Sequence, residues 1–179
     1  LEFRRVLFRS TTLLPSVIAA YSRLHAHNGV RIIDVHGEEA WHTVLQGKAD
    51  FGISAMKENG PDIVFEKLFD DPYVVACCPD HALARRDTVR WNELRRHRLI
   101  SVGRLSGYRT HVDFLPFQNV VSRPGNYQVE HSFSIGLELV EAGLAVIPVP
   151  RLALSRIRDG HIVGRPLVEP QLARTIGII

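Results

Sequence analysis

The stretch Gln46-Gly47-Lys48-Ala49-Asp50-Phe51-Gly52-Ile53-Ser54 decides how this chain folds. Gly37 to Gln46 reads as a helix, and Gly47 stands where a helix needs a C-terminal cap in the left-handed conformation. Ala49 to Ser54 then reads as a short buried strand, and Glu58-Asn59-Gly60-Pro61 as the loop that follows. Upstream, Val30-Arg31-Ile32-Ile33-Asp34-Val35 is rich in β-branched residues and predicts a strand after the turn Asn28-Gly29. Before that, Thr12 to His25 predicts a helix: Thr12 and Pro15 are start signals, and Leu14, Val17, Ile18, Tyr21 and Leu24 recur at helical spacing. Helix, strand, helix, strand in that order lacks only a strand before Thr11 to be βαβαβ. Such alternation predicts a mainly parallel sheet covered on both faces.

A second set of units follows. Ile63 to Phe69 and Tyr73 to Cys78 predict strands separated by Asp70-Asp71-Pro72, and Trp91 to Leu94 a short helical turn before the strand Leu99-Ile100-Ser101. Ser106 to Phe117 reads as helix, Tyr127 to Glu130 as strand, Ser132 to Ala142 as a helix capped by Gly143, and Leu144 to Val149 as strand. Pro150 opens a further helix to Ile157, and His161 to Arg165 and Ala173 to Ile179 are extended. The sequence carries no internal repeat and no low-complexity tract.

With 179 residues, 45% hydrophobic and 23% charged, the composition is that of a globular chain and excludes disordered, collagen-like and disulfide-scaffold classes. The formal charge is +3, thin for a nucleic-acid binder, and the tightest basic cluster, Arg95-Arg96-His97-Arg98, reads as a solvated helix end. The two cysteines, Cys77 and Cys78, are adjacent on an apolar strand, pointing to opposite faces, which predicts a reduced, cytoplasmic protein. No stretch approaches the ~18 apolar residues of a membrane span.

Leu1 to Ser10 stands apart from this pattern. The triplets CTG GAG TTC AGA CGT GTG CTC TTC CGA TCT encode it, a string that resembles a sequencing-library adapter. The expectation is a non-native tail, to be left out of fold reasoning and tested by reading the coding DNA. Its Arg4, Arg5 and Arg9 against Glu2 supply most of the apparent basicity: without it, 19 Lys and Arg face 18 Asp and Glu. The apolar ending Ile176-Gly177-Ile178-Ile179 likewise reads as a cut end.

Four segments in order resemble the effector-binding domain of LysR-type transcriptional regulators. They are Thr11-Thr12-Leu13-Leu14-Pro15 at the first helix, Gln46 to Ile53, Asp71-Pro72-Tyr73-Val74-Val75 through Asp80-His81-Ala82-Leu83-Ala84, and Leu139 to Pro148. The resemblance they carry covers essentially all of 11–179. Asn28-Gly29 stands where the family usually has Pro, Ala82 replaces a Pro and Ala145 a common Gly, all at connecting or packing positions. The resemblance implies an α/β fold of two Rossmann-like subdomains joined by two crossover strands, as in type 2 periplasmic-binding proteins. Subdomain I would be 11–72 and 166–179, and subdomain II 73–165. It also implies that the winged helix-turn-helix, the linker helix, the opening strand and a final helix belong to a longer regulator. That regulator would pair as dimers or tetramers and touch DNA only through its N-terminal domain.

Open α/β sheets bind ligands beyond the carboxyl ends of their strands, where helix N-termini favour a small anion. The hydroxyls expected there are Thr11 and Thr12 on the first helix, Ser54, Ser101, Ser106 beside Gly107, and Ser132 and Ser134. Each also fits a plain N-cap worth ~1 kcal/mol, and a cap can itself sit beside a ligand. Arg104 and Arg109 are candidates for forked contact with a carboxylate, or else solvated loop arginines. Phe133 and Ile147 are candidate pocket walls, with core packing the competing role for Ile147; Asp50 reads as structural.

Catalysis finds no set of residues: His25-x-His27 lacks a third metal ligand, Ser106-Gly107 lacks a nucleophile elbow, and Gly-rich phosphate loops are missing. The expectation is therefore not an enzyme, with no cofactor and no metal. It is a ligand-sensing regulatory domain that binds a small anionic effector between its subdomains. The rival reading is a transport-type solute-binding protein of the same fold.

Overall fold

The structure is a computed structural model, and it describes residues 2–5, 9–35, 37–55, 62–102, 124–129, 133–155, 157 and 160–179. Of residues 2–5, 9–13, 34, 37, 38, 102 and 133 it describes the backbone alone. The chain divides into two compact units, Leu1–Asp71 with Arg174–Ile179, and Pro72–Ala173.

In the first unit, β1 (Glu2–Arg5) lies between β2 (Arg31–Asp34) and β3 (Phe51–Ala55), parallel to both. The C-terminal strand β10 (Ala173–Ile178) runs antiparallel to β3, with Gly177 opposite Ser54. Helix α1 (Arg9–Leu24) covers one face, where Leu14, Ile53 and Ile176 are buried with Ile18 and Phe51 against them. Helix α2 (Gly37–Leu45) covers the other, where Ala40, Trp41 and Ile179 meet Phe65 and Val44. Trp41 and Phe65 stack with ring centroids 6.2 Å apart.

Three expectations change here. Residues 1–10 were expected outside the fold, yet Glu2–Arg5 fill the opening-strand slot and α1 takes in Arg9 and Ser10. Strand pairing runs through backbone groups, so an extended segment can take that slot without the alternating side-chain pattern on which the reading relied. Helix α1 starts three residues before Thr12, which moves Pro15 out of the first turn. The apolar set of α1 also splits: Leu14 and Ile18 face the core, while Val17 and Leu24 are exposed.

In the second unit, β6 (Ile100–Val102) pairs parallel with β7 (Tyr127–Val129) on one side. On its other side a parallel bridge between Leu99 and Val146 joins it to the run entering β8 (Ile147–Pro150). β8 lies antiparallel to the second half of β4 (Glu66–Cys77), which pairs in turn with β9 (Val163–Val168), and β9 with the short β5 (Val89–Arg90). Tyr73, Val75, Cys77, Trp91, Leu94 and Leu167 are among the buried core, each such apolar side chain contributing ~1.5–3 kcal/mol. Helix α3 (Phe133–Glu141) packs over the sheet, and a Cβ on its Gly136 would lie 3.2 Å from the Ile147 side chain.

The Asp70-Asp71-Pro72 break predicted between two strands is absent: β4 runs straight through it and passes from one unit to the other at Asp71–Pro72. Pro72 is exposed, and the ladders with β8 and β9 begin only after it, at Tyr73 and Val74. The return passage lies between Ala173 and Arg174 rather than at 166, because β9 pairs with β4 through Val74 to Cys77. The helix expected from Pro150 to Ile157 is a 3-10 turn over Arg151–Leu154. The helix expected over Ser106–Phe117 lies outside the described residues.

Both glycine caps are present. After α2, Gly47 N–H donates to Val44 O (2.9 Å) and Lys48 N–H to Thr43 O (3.0 Å), with φ +65° at Gly47. After α3, Gly143 N–H donates to Val140 O and Leu144 N–H to Leu139 O, with φ +73° at Gly143. These are Schellman motifs, which need a left-handed residue. A Cβ at Gly143 would meet only Cys78 Sγ, at 3.6 Å, so the cost of Gly143→Ala is the backbone's, about 1–2 kcal/mol. Urea unfolding measures it, and Gly143→Asn should lose less.

Candidate functional site

The strand order places a candidate site in each unit. In the first unit, β1 sends the chain outward to β2, and β2 sends it back past β1 to β3, so the order reverses between β1 and β3. In the second, β6 is central, β7 lies on one side and β8 on the other, so the reversal falls between β6 and β8. Both units therefore share a 2-1-3 arrangement, with an antiparallel strand beside the third. This is a repeat in topology that the sequence does not show. Crevices at such switch points, beyond the strands' carboxyl ends, are where open α/β sheets hold ligands.

At the first unit's switch point, α1 begins after β1, with Thr11 and Thr12 as its third and fourth residues. Ser54 lies near the carboxyl end of β3, is buried, and has its hydroxyl accepting a hydrogen bond from Trp41 Nε1 at 3.1 Å. The same indole N–H lies 3.3 Å from Ala55 O. A buried hydroxyl needs such a partner, and this one pins α2 to β3 at the strand's end. Trp41 is a participant the sequence did not disclose, since its contact with Ser54 depends on how a helix thirteen residues away lies on the sheet.

In the second unit Ser101 is half-buried in β6, with its hydroxyl 3.5 Å from Tyr127 O. Ser134, the second residue of α3, is exposed and lines a hollow of about 440 Å³ with Glu138, Glu141 and His161. Glu141 Oε1 and His161 Nδ1 lie 2.5 Å apart there, both side chains exposed. Ile147 is fully buried against α3, in the core-packing role weighed for it. Phe133 opens α3, with its backbone alone described. Arg104, Ser106, Gly107, Arg109 and Ser132 lie outside the described residues. Thr11 and Thr12 thus lie in the first turn of α1 and Ser54 near the end of β3, while the candidates of the second unit are only partly placed.

The thiols are free, and burial pushes Cys77 up to about 11, so it stays a neutral thiol rather than a nucleophile. Among the described residues no cluster of three metal-ligating groups occurs, and no helix is long and apolar enough to cross a membrane.

His81 and His97 pack edge to face with ring centroids 4.9 Å apart. His81 Nδ1 accepts the Leu83 N–H at 3.2 Å and so caps the turn Ala82–Arg85. Burial lowers the pKa of both; at His97 the neighbouring His81 and Arg96 lower it further against the opposing pull of Glu93. A lowered histidine favours the neutral form in the fold. Its contribution is therefore complete above the unfolded value of about 6.5 and is lost as pH falls through the folded values. The urea midpoint should drop between pH 7.5 and 5, and by less in His81→Asn, which keeps an acceptor and does not titrate.

The model of the LysR substrate binding domain matches residues 9–179. The uncharacterized HTH-type transcriptional regulator YbhD of Escherichia coli K12 is 36% identical over 170 residues, covering 93% of this chain and 52% of its own length. The chain thus spans about half the length of that curated relative. Among solved structures, the effector binding domain of QuiR in complex with shikimate aligns with a TM-score of 0.79 at 18% identity, over 99% of this chain and 84% of that one. The reduced OxyR regulatory domain of Pseudomonas aeruginosa aligns with a TM-score of 0.82 at 22% identity, over 99% and 86%. At those identities the likeness is one of fold, and it is the two-subdomain fold expected from the sequence. The chain belongs to the LysR substrate binding domain family.

Proposed function

We propose that this chain is the effector-sensing domain of a bacterial LysR-type transcriptional regulator, and that it binds a small organic anion at the carboxyl ends of its parallel strands. The observation that carries the reading is the switch point between β1 and β3, with α1 following β1 in the chain and Ser54 near the carboxyl end of β3. A helix N-terminus offers unpaired N–H groups and a positive dipole end to a carboxylate. Thr11 and Thr12 supply hydroxyls, while Ser54, held by Trp41, fixes the strand end against which the ligand rests. Arg104, Ser106, Gly107, Arg109, Ser132 and Phe133 remain candidates for the second unit's share of the contacts.

In this reading the domain performs no catalysis and works in the cytoplasm, and DNA is met by another domain of the regulator. The effector acts by binding two domain arrangements with different affinity, which biases the oligomer. Exposed Val17 and Leu24 on α1 support self-association through that helix. The transport-type alternative is disfavoured because the family model and the matched relative are regulatory.

Calorimetry against a panel of small carboxylates, shikimate included, tests the proposal. One ligand should bind saturably, and Thr12→Val should weaken it about tenfold, as expected for losing one hydrogen bond to a charged group. An unchanged affinity in Thr12→Val and Thr11→Val alike would overturn the assignment.

A further inference from the structure

The segment 85–98 of the second unit carries Arg85, Arg86, Arg90, Arg95, Arg96 and Arg98. Three of these side chains line one hollow of about 480 Å³, together with Thr88, Asn92 and Glu93. The hollow is an open one with exposed arginines, and carboxylates orient two of them. Glu93 Oε2 accepts the Arg90 N–H at 2.8 Å, which closes the turn Trp91–Arg96, and its Oε1 lies 3.4 Å from Arg86 Nη2. Arg90 Nε is held 3.1 Å from Glu169. Two guanidinium groups are thereby steered by carboxylates, while Arg96 makes no ion pair among the described residues. With Glu93 on Arg86 and Glu169 on Arg90, Arg96 is the one unbalanced cation of the lining, whose neutral members are a hydroxyl and a carboxamide.

We infer that this hollow is a second ligand site, for a tetrahedral oxyanion of the phosphate class, separate from the effector site. A monocarboxylate satisfies one guanidinium fork and neutralises one charge. A phosphate offers several acceptor oxygens, enough for the unbalanced Arg96 and for the extra donors of Thr88 and Asn92. Planar guanidinium groups favour such oxyanions over water. Of the cluster Arg95-Arg96-His97-Arg98, read from sequence as a solvated helix end, only Arg96 lines this hollow. None of the effector-site candidates takes part, so the two sites can fail independently.

The test is titration calorimetry of the whole chain with inorganic phosphate at constant ionic strength, with acetate, glycerol phosphate and a short DNA duplex as parallel ligands. Inorganic phosphate should bind saturably, one per chain, and acetate should not. Arg96→Ala should weaken phosphate about tenfold, with no change in Arg151→Ala, an exposed arginine elsewhere in the unit. A thermal melt confirms that both variants fold. Glycerol phosphate that competes with inorganic phosphate identifies a phosphorylated metabolite as a source, and a competing duplex identifies a nucleic-acid backbone. Absence of saturable phosphate binding, equal binding of acetate, or equal weakening in Arg151→Ala each overturns the site, as does a duplex that binds while free phosphate does not.

Discussion

Asp71→Ala should lower the unfolding free energy by about 3–5 kcal/mol, the range for breaking a buried ion pair from one side. Asp71 is 2% exposed, and its Oδ2 accepts from Arg174 Nε at 2.9 Å and from Arg174 Nη2 at 2.7 Å. The arginine side chain is itself only 12% exposed, so removing the carboxylate strands a guanidinium that water reaches poorly. The pair sits where β4 leaves the first unit and β10 re-enters it, and Lys67–Asp70 and Thr175–Asp70 contacts lie beside it. Those neighbours are exposed and contribute far less. Urea unfolding followed by circular dichroism measures the loss, and Asp71→Asn should recover part of it by keeping one acceptor. The double variant Asp71→Ala/Arg174→Ala should be less destabilised than the two single losses added together, because no charge is then left unpaired. A loss below ~1 kcal/mol in Asp71→Ala would place this pair with ordinary surface bridges.

Both partners of that bridge also mark the limit of what the sequence discloses. Asp71 is legible only as punctuation, because Asp-Asp-Pro marks a turn more often than the middle of a strand. Arg174 lies 103 residues further on, with no local sign of its partner. Local signals did carry the parallel layout: the caps at Gly47 and Gly143 and the β-branched run before Asp34 each follow from their own neighbours. What depends on pairing between distant strands was displaced, as with the return passage at Ala173–Arg174, since β9 could join either unit until its register with Val74 to Cys77 is known. The candidate site divides the same way. Hydroxyls at strand ends and helix starts were visible as residue types. Their partners were not, because the Trp41–Ser54 bond exists only once α2 lies on β3.

Gly177→Ala should cost about 3 kcal/mol, at the upper end of the usual range for overpacking. An added Cβ would lie 2.5 and 2.7 Å from ring carbons of Phe65 and in collision with the Glu66 carbonyl oxygen. Phe65 stacks on Trp41, so moving its ring gives up that contact, and a backbone carbonyl cannot rotate away as a side chain does. Gly52→Ala provides the contrast on the neighbouring strand. Its Cβ would meet only side-chain atoms of Ile179 and Val44, at 3.2 to 3.4 Å, and Ile179 can yield by changing rotamer, so the loss should stay below ~1.5 kcal/mol. Gly177 also stands directly opposite Ser54 in the β3–β10 ladder. A backbone displaced by Phe65 would therefore move the hydroxyl that accepts from Trp41, and with it the strand end proposed to hold the effector. Gly177→Ala should then weaken effector binding as well as stability, whereas Gly143→Ala, in the other unit, should lower stability alone. Equal binding by the two variants, measured under conditions where both remain folded, would separate the β3 edge from ligand recognition.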